Sequence, residues 1–576
     1  MDGVLKMPLK GRKRPRTEKQ DRMATVYRDD RCGDGRSPDG AIWTLGRWIV
    51  GAAMLAGAML LSGTSSAQDI PNAQRVSCWF KPPAGHVVTC YHVQVPERRL
   101  SGGQNHVPAP QRPNGHSGAL ANRGRAAIPA EPAQQILTLP VVVISTPSER
   151  RRDDPVVYIS GGPGDGDWLD ADRIGYWWGY LADNPWLRHR DLILFDQRGV
   201  GLTEPRVDCP ELSALNIESL TYGNDYRRLE TVERDAAAAC LARLKGEGHD
   251  VAAYTTVASS ADLHDIFSAL AIPRWNVYGV SYGTRLALTY MRDFPEDIRS
   301  TILDSVYPFR VKFLEDDAWR TNRAFRKIID GCAADDRCRA WYPDLGDRLL
   351  KLVRALDAKP LPVKRANPTS SKPLQFGFTG EMLLNHLFFN MYNLADIERV
   401  PQIIDIFERR VPRYLDHEID NFLANLNDRP DWGDAMATTI NCAEDVVFND
   451  LERVKSNYRA YPLLEDFADQ EPAPLCAVWA RSLPDKRLAQ PVESDIPSLI
   501  LSGAYDPVTP PSYARLAAAT LKNGFVIGFP GIGHDVLGND LCAGVIADIF
   551  LDKPTARPVD NCLKEQSPPD FQPPVD

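Results

Sequence analysis

The sequence predicts an α/β fold: a mostly parallel sheet covered by helices on both faces, with one large helical insertion. Short apolar runs stop at Gly or Asp and alternate with segments of helical period, which is the pattern of strands buried on both faces. The alternation is interrupted once, between about Pro308 and Pro491, by a long aromatic-rich stretch of helical period. The chain has 576 residues, too many for one simple core, so a substantial insertion is expected on size alone.

Residues 1–67 carry 12 Lys and Arg against 7 Asp and Glu. Among them the apolar run Trp48–Leu61 spans 14 residues, short of the roughly 20 that a spanning helix needs. It follows Arg47 and ends in small residues up to Ala67, so residues 1–67 read as a leader and signal peptide cut after Ala67, leaving no stable membrane span. An uncleaved anchor is the competing reading, and Met23 offers a second start. The rest of the chain holds 55 Lys and Arg against 69 Asp and Glu, a balance of -14. A body that acidic is unsuited to nucleic acid, whose phosphates demand clustered cations.

Residues 68–307 read as the first part of the core. Val87–Pro96 is a strand rich in β-branched residues, and Gln135–Ser145 is another, with Pro140 suggesting an edge position. Between them, residues 101–133 are rich in Gly, Pro, Asn and Ala without apolar period, and read as a flexible insertion. Strands follow at Pro155–Ser160, Leu192–Phe195, Trp275–Gly279 and Thr301–Leu303. Helices are expected over 227–245, 258–271 and 284–293. Residues 308–491 read as a mainly helical cap, with helices at Ala318–Cys332, Leu345–Leu356, Gly380–Met391 and Ile397–Asn425. Residues 492–576 complete the core with strands Ser498–Ser502 and Phe525–Phe529.

After removal of a leader containing Cys32, ten cysteines remain, in near-neighbour pairs: Cys78/Cys90, Cys209/Cys240, Cys332/Cys338, Cys442/Cys476 and Cys542/Cys562. An even count in an exported chain implies disulfides, here paired in sequence order, and a periplasmic or extracellular destination. With no C-x-x-C and no H-x-x-x-H or H-E-x-x-H spacing, no metal or other cofactor is expected.

The strongest chemical signal is Gly279-Val280-Ser281-Tyr282-Gly283, set between the strand at Trp275 and the helical run after Thr284. Strand, tight turn and helix in that order expose a nucleophilic serine at a helix N-terminus, and the strained turn requires small residues at both ends. A serine hydroxyl needs a base beside it. His386 and His417 fall in cap helices, whereas His534 directly follows the last strand, so His534 is assigned as the base. Asp506, in the loop after Ser498–Ser502, is assigned as the acid that orients it, with Asp304 and Asp535 as rivals. An acyl-transfer site also needs oxyanion donors; these are assigned to the backbone N–H groups of Tyr282 and Gly162, the latter in Gly161-Gly162-Pro163-Gly164.

Those motifs, with Asp196-Gln197-Arg198-Gly199, Asp506-Pro507-Val508-Thr509-Pro510 and Gly533-His534, occur in an order that resembles the proline iminopeptidase and tripeptidyl aminopeptidase group of α/β-hydrolases. The resemblance covers about Cys78 to Cys562 apart from residues 101–133, and the Cys542/Cys562 region resembles the secreted, tripeptidyl-like (TAP-like) members. Ser160 stands where proline iminopeptidases have His, and the cap is longer, so strict proline specificity is not implied. The resemblance implies a serine hydrolase acting on peptides with a free amino terminus, the amine being met by acidic cap residues. Glu444 and Asp445, beside Cys442, are the candidates, against a reading as a solvated acidic turn. Asp196 and Arg198 are expected to brace the loop near the site. Two other functions compete: an esterase or lipase using the same three residues, and a non-catalytic binding protein on the same fold.

Overall fold

The computed structural model describes residues 73–99, 135–367, 370–427, 431–479 and 484–576. The signal peptide assigned to 1–67 and the insertion assigned to 101–133 lie outside the described residues. The described residues all fall within one compact unit. No helix among the described residues is long and apolar enough to cross a membrane.

The core is a nine-stranded sheet. Its strands in chain order are β1 (Ala73–Val76), β2 (Val87–Pro96), β3 (Ile136–Ser145), β4 (Val156–Ile159), β5 (Leu192–Phe195), β6 (Trp275–Val280) and β7 (Ile298–Asp304), then, after a small hairpin of β8 (Leu361–Arg365) and β9 (Leu374–Phe378), β10 (Ser498–Gly503) and β11 (Gly524–Phe529). The spatial order is β1-β2-β3-β5-β4-β6-β7-β10-β11. The six strands from β5 to β11 in that order run parallel, and β1, β2 and β3 add an antiparallel flank. All four residues of β5 are buried because both sheet faces are covered. Ile193 and Phe195 enter one apolar layer, Leu192 and Leu194 the opposite one.

β3 is not an edge strand: it lies between β2 and β5. Pro140 is tolerated for a local reason. The Thr138 N–H donates to Glu204 O (2.7 Å), and alternate residues of a strand point their amides the same way, so the missing N–H of Pro140 faces the gap between that bridge and the β5 ladder, which starts at Val141.

The segment between β7 and β10 is mainly helical, with its own apolar cluster that includes Phe325, Phe378, Leu383, Ile403 and Phe422. Two details depart from the sequence expectation. The β8–β9 hairpin interrupts the helices. The single helix expected over Ile397–Asn425 is three: Leu394–Ile397, Val400–Arg409 and Pro412–Asn427. Pro401 sits in the first turn of the second and Pro412 opens the third, positions where a missing N–H costs nothing. Arg410 turns the chain with φ +54°.

Disulfides join Cys78–Cys90, Cys209–Cys240, Cys332–Cys338, Cys442–Cys476 and Cys542–Cys562. Cys209, Glu211 and Cys240 come together as a potential ligand group, but both sulfurs are already bonded to each other and offer no thiolate.

Candidate active site

The carboxyl ends of the central strands are level. Val280 of β6 lies opposite Asp304 of β7, which lies opposite Leu501 of β10, and Gly503 of β10 lies opposite Phe529 of β11. The loops that follow β6, β10 and β11 therefore leave the sheet at one edge, and they carry Ser281, Asp506 and His534.

Ser281 sits at the turn from β6 into the helix Tyr282–Asp293 with φ +56°, a conformation that a non-glycine residue holds only when its surroundings enforce it. Its N–H donates to Asp304 O (3.0 Å). Glycine is required on both sides. A Cβ on Gly279 would lie 2.5 Å from Gly283 O, and one on Gly283 would lie 2.2 Å from Ile159 O. The Ser281 side chain stays half-exposed. Tyr282 opens the helix, where backbone amides have no intrahelical acceptor. A Cβ on Gly161 would be 3.3 Å from Ser281 Cβ, so the loop carrying Gly162 presses directly on the serine.

His534 is buried, and its Nδ1 is 2.9 Å from Asp506 Oδ2. A carboxylate can only accept, so Nδ1 carries the proton and Nε2 is left with its lone pair. Asp506 is fully buried. Its Oδ1 accepts from the N–H groups of Val508 and Thr509 (2.8 Å each), and the Thr509 hydroxyl donates to Oδ2 (2.7 Å). Burial alone would raise the Asp506 carboxyl, but the His534 charge and these hydrogen bonds outweigh it and hold the pKa below the ordinary value. Burial lowers the His534 imidazole, and Asp506, helped by the charges of Asp535 and Asp304, more than reverses that, leaving it raised. Among the described residues no hydrogen bond joins the Ser281 hydroxyl to the His534 ring, whose hydrogen bonds run through Nδ1; in unliganded sites such contacts commonly close only with substrate.

The rival acids serve other ends. Asp304 accepts from the N–H groups of Val536 (2.9 Å) and Leu537 (2.7 Å), capping the short helix Val536–Asn539 just past His534. Asp535 accepts from the Gly538 N–H (3.1 Å) and its own N–H donates to Ser305 Oγ (3.0 Å). His386 pairs through Nε2 with Glu418 (3.0 Å), and His417 with Asn421 (3.3 Å), both within the helical insertion. Asp196 braces the loops on either side of it, accepting from the N–H groups of Asp167 and Leu202 (2.7 Å each). Arg198, fully buried, forks onto Asp262 (2.8 and 2.6 Å).

Glu444 and Asp445 are buried rather than solvated. Glu444 accepts from both the N–H and the hydroxyl of Thr256, and that hydroxyl is 2.9 Å from the Tyr282 hydroxyl. Asp445 pairs with Arg285 (2.9 Å) and the Tyr307 hydroxyl (2.6 Å). Asp445 therefore has its cation. Glu444 makes no direct ion pair: Arg285 donates to its backbone carbonyl (3.1 Å), and burial, outweighing the nearby Arg285 charge, pushes the Glu444 carboxyl up to about 7.

Sequence reasoning missed two neighbours. Thr509 was within reach, because an Asp followed three residues later by Thr is the spacing of a side-chain-closed turn. Tyr392 was not: its carbonyl accepts the His534 N–H (2.9 Å) and its ring meets the imidazole edge-on at 5.0 Å, a contact that no local pattern announces.

A family model described as alpha/beta hydrolase fold matches residues 154–342, and one described as TAP-like protein matches residues 461–562. The chain carries an α/β-hydrolase domain with a TAP-like carboxyl-terminal part. The hydrolase is 25% identical over 395 residues to serine protease Hip1 of Mycobacterium tuberculosis, covering 64% of this chain and 73% of that protein. It is 24% identical over 429 residues to the putative hydrolase YuaR of Escherichia coli, covering 69% of this chain and 77% of YuaR. With tripeptidyl aminopeptidase of Streptomyces lividans it shares 30% identity over 232 residues, 38% of this chain and 42% of that one.

Proposed function

We propose that the hydrolase is an exported serine peptidase that releases residues or tripeptides from the free amino terminus of peptides through an acyl-enzyme on Ser281. His534 Nε2 takes the hydroxyl proton as Ser281 attacks the carbonyl, and Asp506 stabilises the imidazolium that results. The N–H groups of Tyr282 and Gly162 receive the negative charge on the carbonyl oxygen. His534 returns the proton to the leaving amine, and a water activated by the same imidazole frees the acyl group. The observation that carries this reading is the buried His534–Asp506 pair at the sheet edge where the strained Ser281 turn ends.

Two features support a peptide over a small ester. The relatives include a serine protease and a tripeptidyl aminopeptidase. The Glu444 carboxyl makes no direct ion pair, because its neighbour Arg285 is bound to Asp445, and an ammonium would supply one. In this scheme residues 308–491 act as a cap over the cleft between the core parts 68–307 and 492–576. Residues 1–67 are lost on export; the five disulfides are compatible with an oxidising destination.

The test pairs a fluorophosphonate probe with matched peptides. Wild type is expected to label and Ser281→Ala not to; free-amine peptide anilides are expected to turn over, and amine-blocked ones not. Glu444→Gln is expected to raise KM for free-amine peptides about tenfold, the worth of one charge-assisted hydrogen bond. Inert free-amine peptides beside rapid turnover of short acyl esters would end the aminopeptidase reading and leave an esterase. Absence of labelling would end the serine mechanism and leave a binding protein.

A further inference from the structure

The loop that carries Asp506 is held from two sides, by the core and by the insertion. Its carboxylate, and the Val508 and Thr509 amides bound to it, face inward. The carbonyls of Ala504, Asp506 and Val508 are taken by guanidinium groups of one helix of the insertion, Asp317–Ala334. Arg323 donates to Ala504 O (2.7 Å) and Asp506 O (3.0 Å), and Arg320 donates to Val508 O (2.9 Å). The same face of that helix continues the contact. The Lys327 ammonium lies 5.0 Å from the centre of the Tyr505 ring, and a Cβ on Gly331 would come 2.6 Å from the Tyr505 hydroxyl. Residues 320, 323, 327 and 331 are spaced by three and four, which makes them a single stripe on a helix.

One end of the stripe is firmly held. Arg320 is 1% exposed and is fixed by Phe313 O (3.0 Å), by Asp317 (2.7 Å) and by the Phe313 ring 3.7 Å beneath its guanidinium. Tyr505 is buried among the apolar residues of the insertion, not those of the sheet. On the core side the loop's amides are taken: Ala504 N–H by Phe529 O (2.9 Å), Tyr505 N–H by Ile532 O (3.0 Å) and Asp506 N–H by Gly503 O (3.3 Å), while its carbonyls at 504, 506 and 508 go to the insertion.

We infer that Arg323, supported by Arg320, is a positioning residue for the acid: docking of this helix sets the Asp506 carboxylate against His534, so nucleophile strength depends on a correctly seated insertion. A planar fork is needed for the role, because Arg323 spans two carbonyls two residues apart, and the point charge of a lysine has no second arm in that plane. The inference rests on the Ser281–His534–Asp506 mechanism.

The experiment compares wild type, Arg323→Met, Arg323→Lys, Asp506→Asn and the Asp506→Asn/Arg323→Met double variant in the full oxidised protein. Fluorophosphonate labelling rate and kcat and KM on one turned-over substrate are read, with circular dichroism to confirm folding. Arg323→Met is expected to lower the labelling rate and kcat by about a hundredfold, the scale of a roughly 1 Å misplacement, with KM changed less than about threefold. Arg323→Lys should fall between. On the Asp506→Asn background the same change should cost less than about threefold, because two residues acting through one group are not additive. A folded Arg323→Met that labels at the wild-type rate, or an equal loss on both backgrounds, overturns the positioning role while leaving the hydrolase intact. If Arg323→Met does not fold, Arg323→Lys decides, and wild-type kcat in it overturns the role. A wild type that does not label overturns the serine mechanism, and the positioning role falls with it.

Discussion

Asp304 and Asp506 are the same side chain at equal depth near the ends of adjacent parallel strands, β7 and β10, and they behave in opposite ways. Both are fully buried. Burial raises both, and only what stands opposite differs. Asp506 faces the His534 ring, and its pKa ends below the ordinary range. Asp304 faces two backbone amides and has Asp535 for a charged neighbour, and it is pushed up to about 7. Depth in the protein does not settle the charge of a carboxylate; the partner does. The two also divide one task. Asp506 holds the imidazole, while Asp304 holds the helix Val536–Asn539 behind it, so the histidine loop is gripped at the ring and at the backbone.

The sharpest way to break the comparison is to neutralise each in turn. Asp506→Asn should lower kcat by about 10³–10⁴-fold with the fold intact, because an amide no longer selects the tautomer with Nε2 free. Asp304→Asn keeps one acceptor for the helix amides and should cost less than about tenfold in kcat. Equal losses would mean that the two loops share the acid role. A smaller effect appears in the pH profile. The raised His534 imidazole should put the acid limb of kcat/KM above about 6.5, the free histidine value, and Asp506→Asn should move that limb down. The smallest concerns stability. Asp304 is raised when folded, so between about pH 4 and its folded value near 7 the native state binds more protons than the unfolded one. That contribution favours folding at the acid end and is lost as pH rises through the folded pKa. Melting temperatures of wild type and Asp304→Asn, compared at pH 4.5 and 7, should show the smaller decline in the variant; parallel declines would assign the pH dependence to another group.

Much of this was legible because sheet strands and the serine turn are local. An apolar run covered on both faces reads directly as β5, which stops at Asp196, or β6, which runs into the Gly279 turn, and Gly279 and Gly283 are dictated by contacts within a few residues or with the neighbouring strand. Partners far along the chain were not legible. Glu444 is matched to Thr256 and Asp445 to Arg285 across more than a hundred residues, so a sequence can mark the acidic pair but not its burial. The hairpin β8–β9 hides behind Lys, Pro and Ser in a region otherwise helical by period. Pro140 misled because its missing donor depends on where β5 begins, not on β3 itself. Arg323 and Tyr392 contact the site only through tertiary packing.

Among the described residues each bridge joins two cysteines adjacent in the sequence order of cysteines, and no bridge encloses or crosses another. In an oxidising compartment, a polypeptide threading out amino end first would meet its correct sulfur before any wrong one had emerged. Along such a route, formation of these bonds would need an oxidant but no isomerase to reshuffle mispaired ones, the order of the cysteines itself encoding the connectivity.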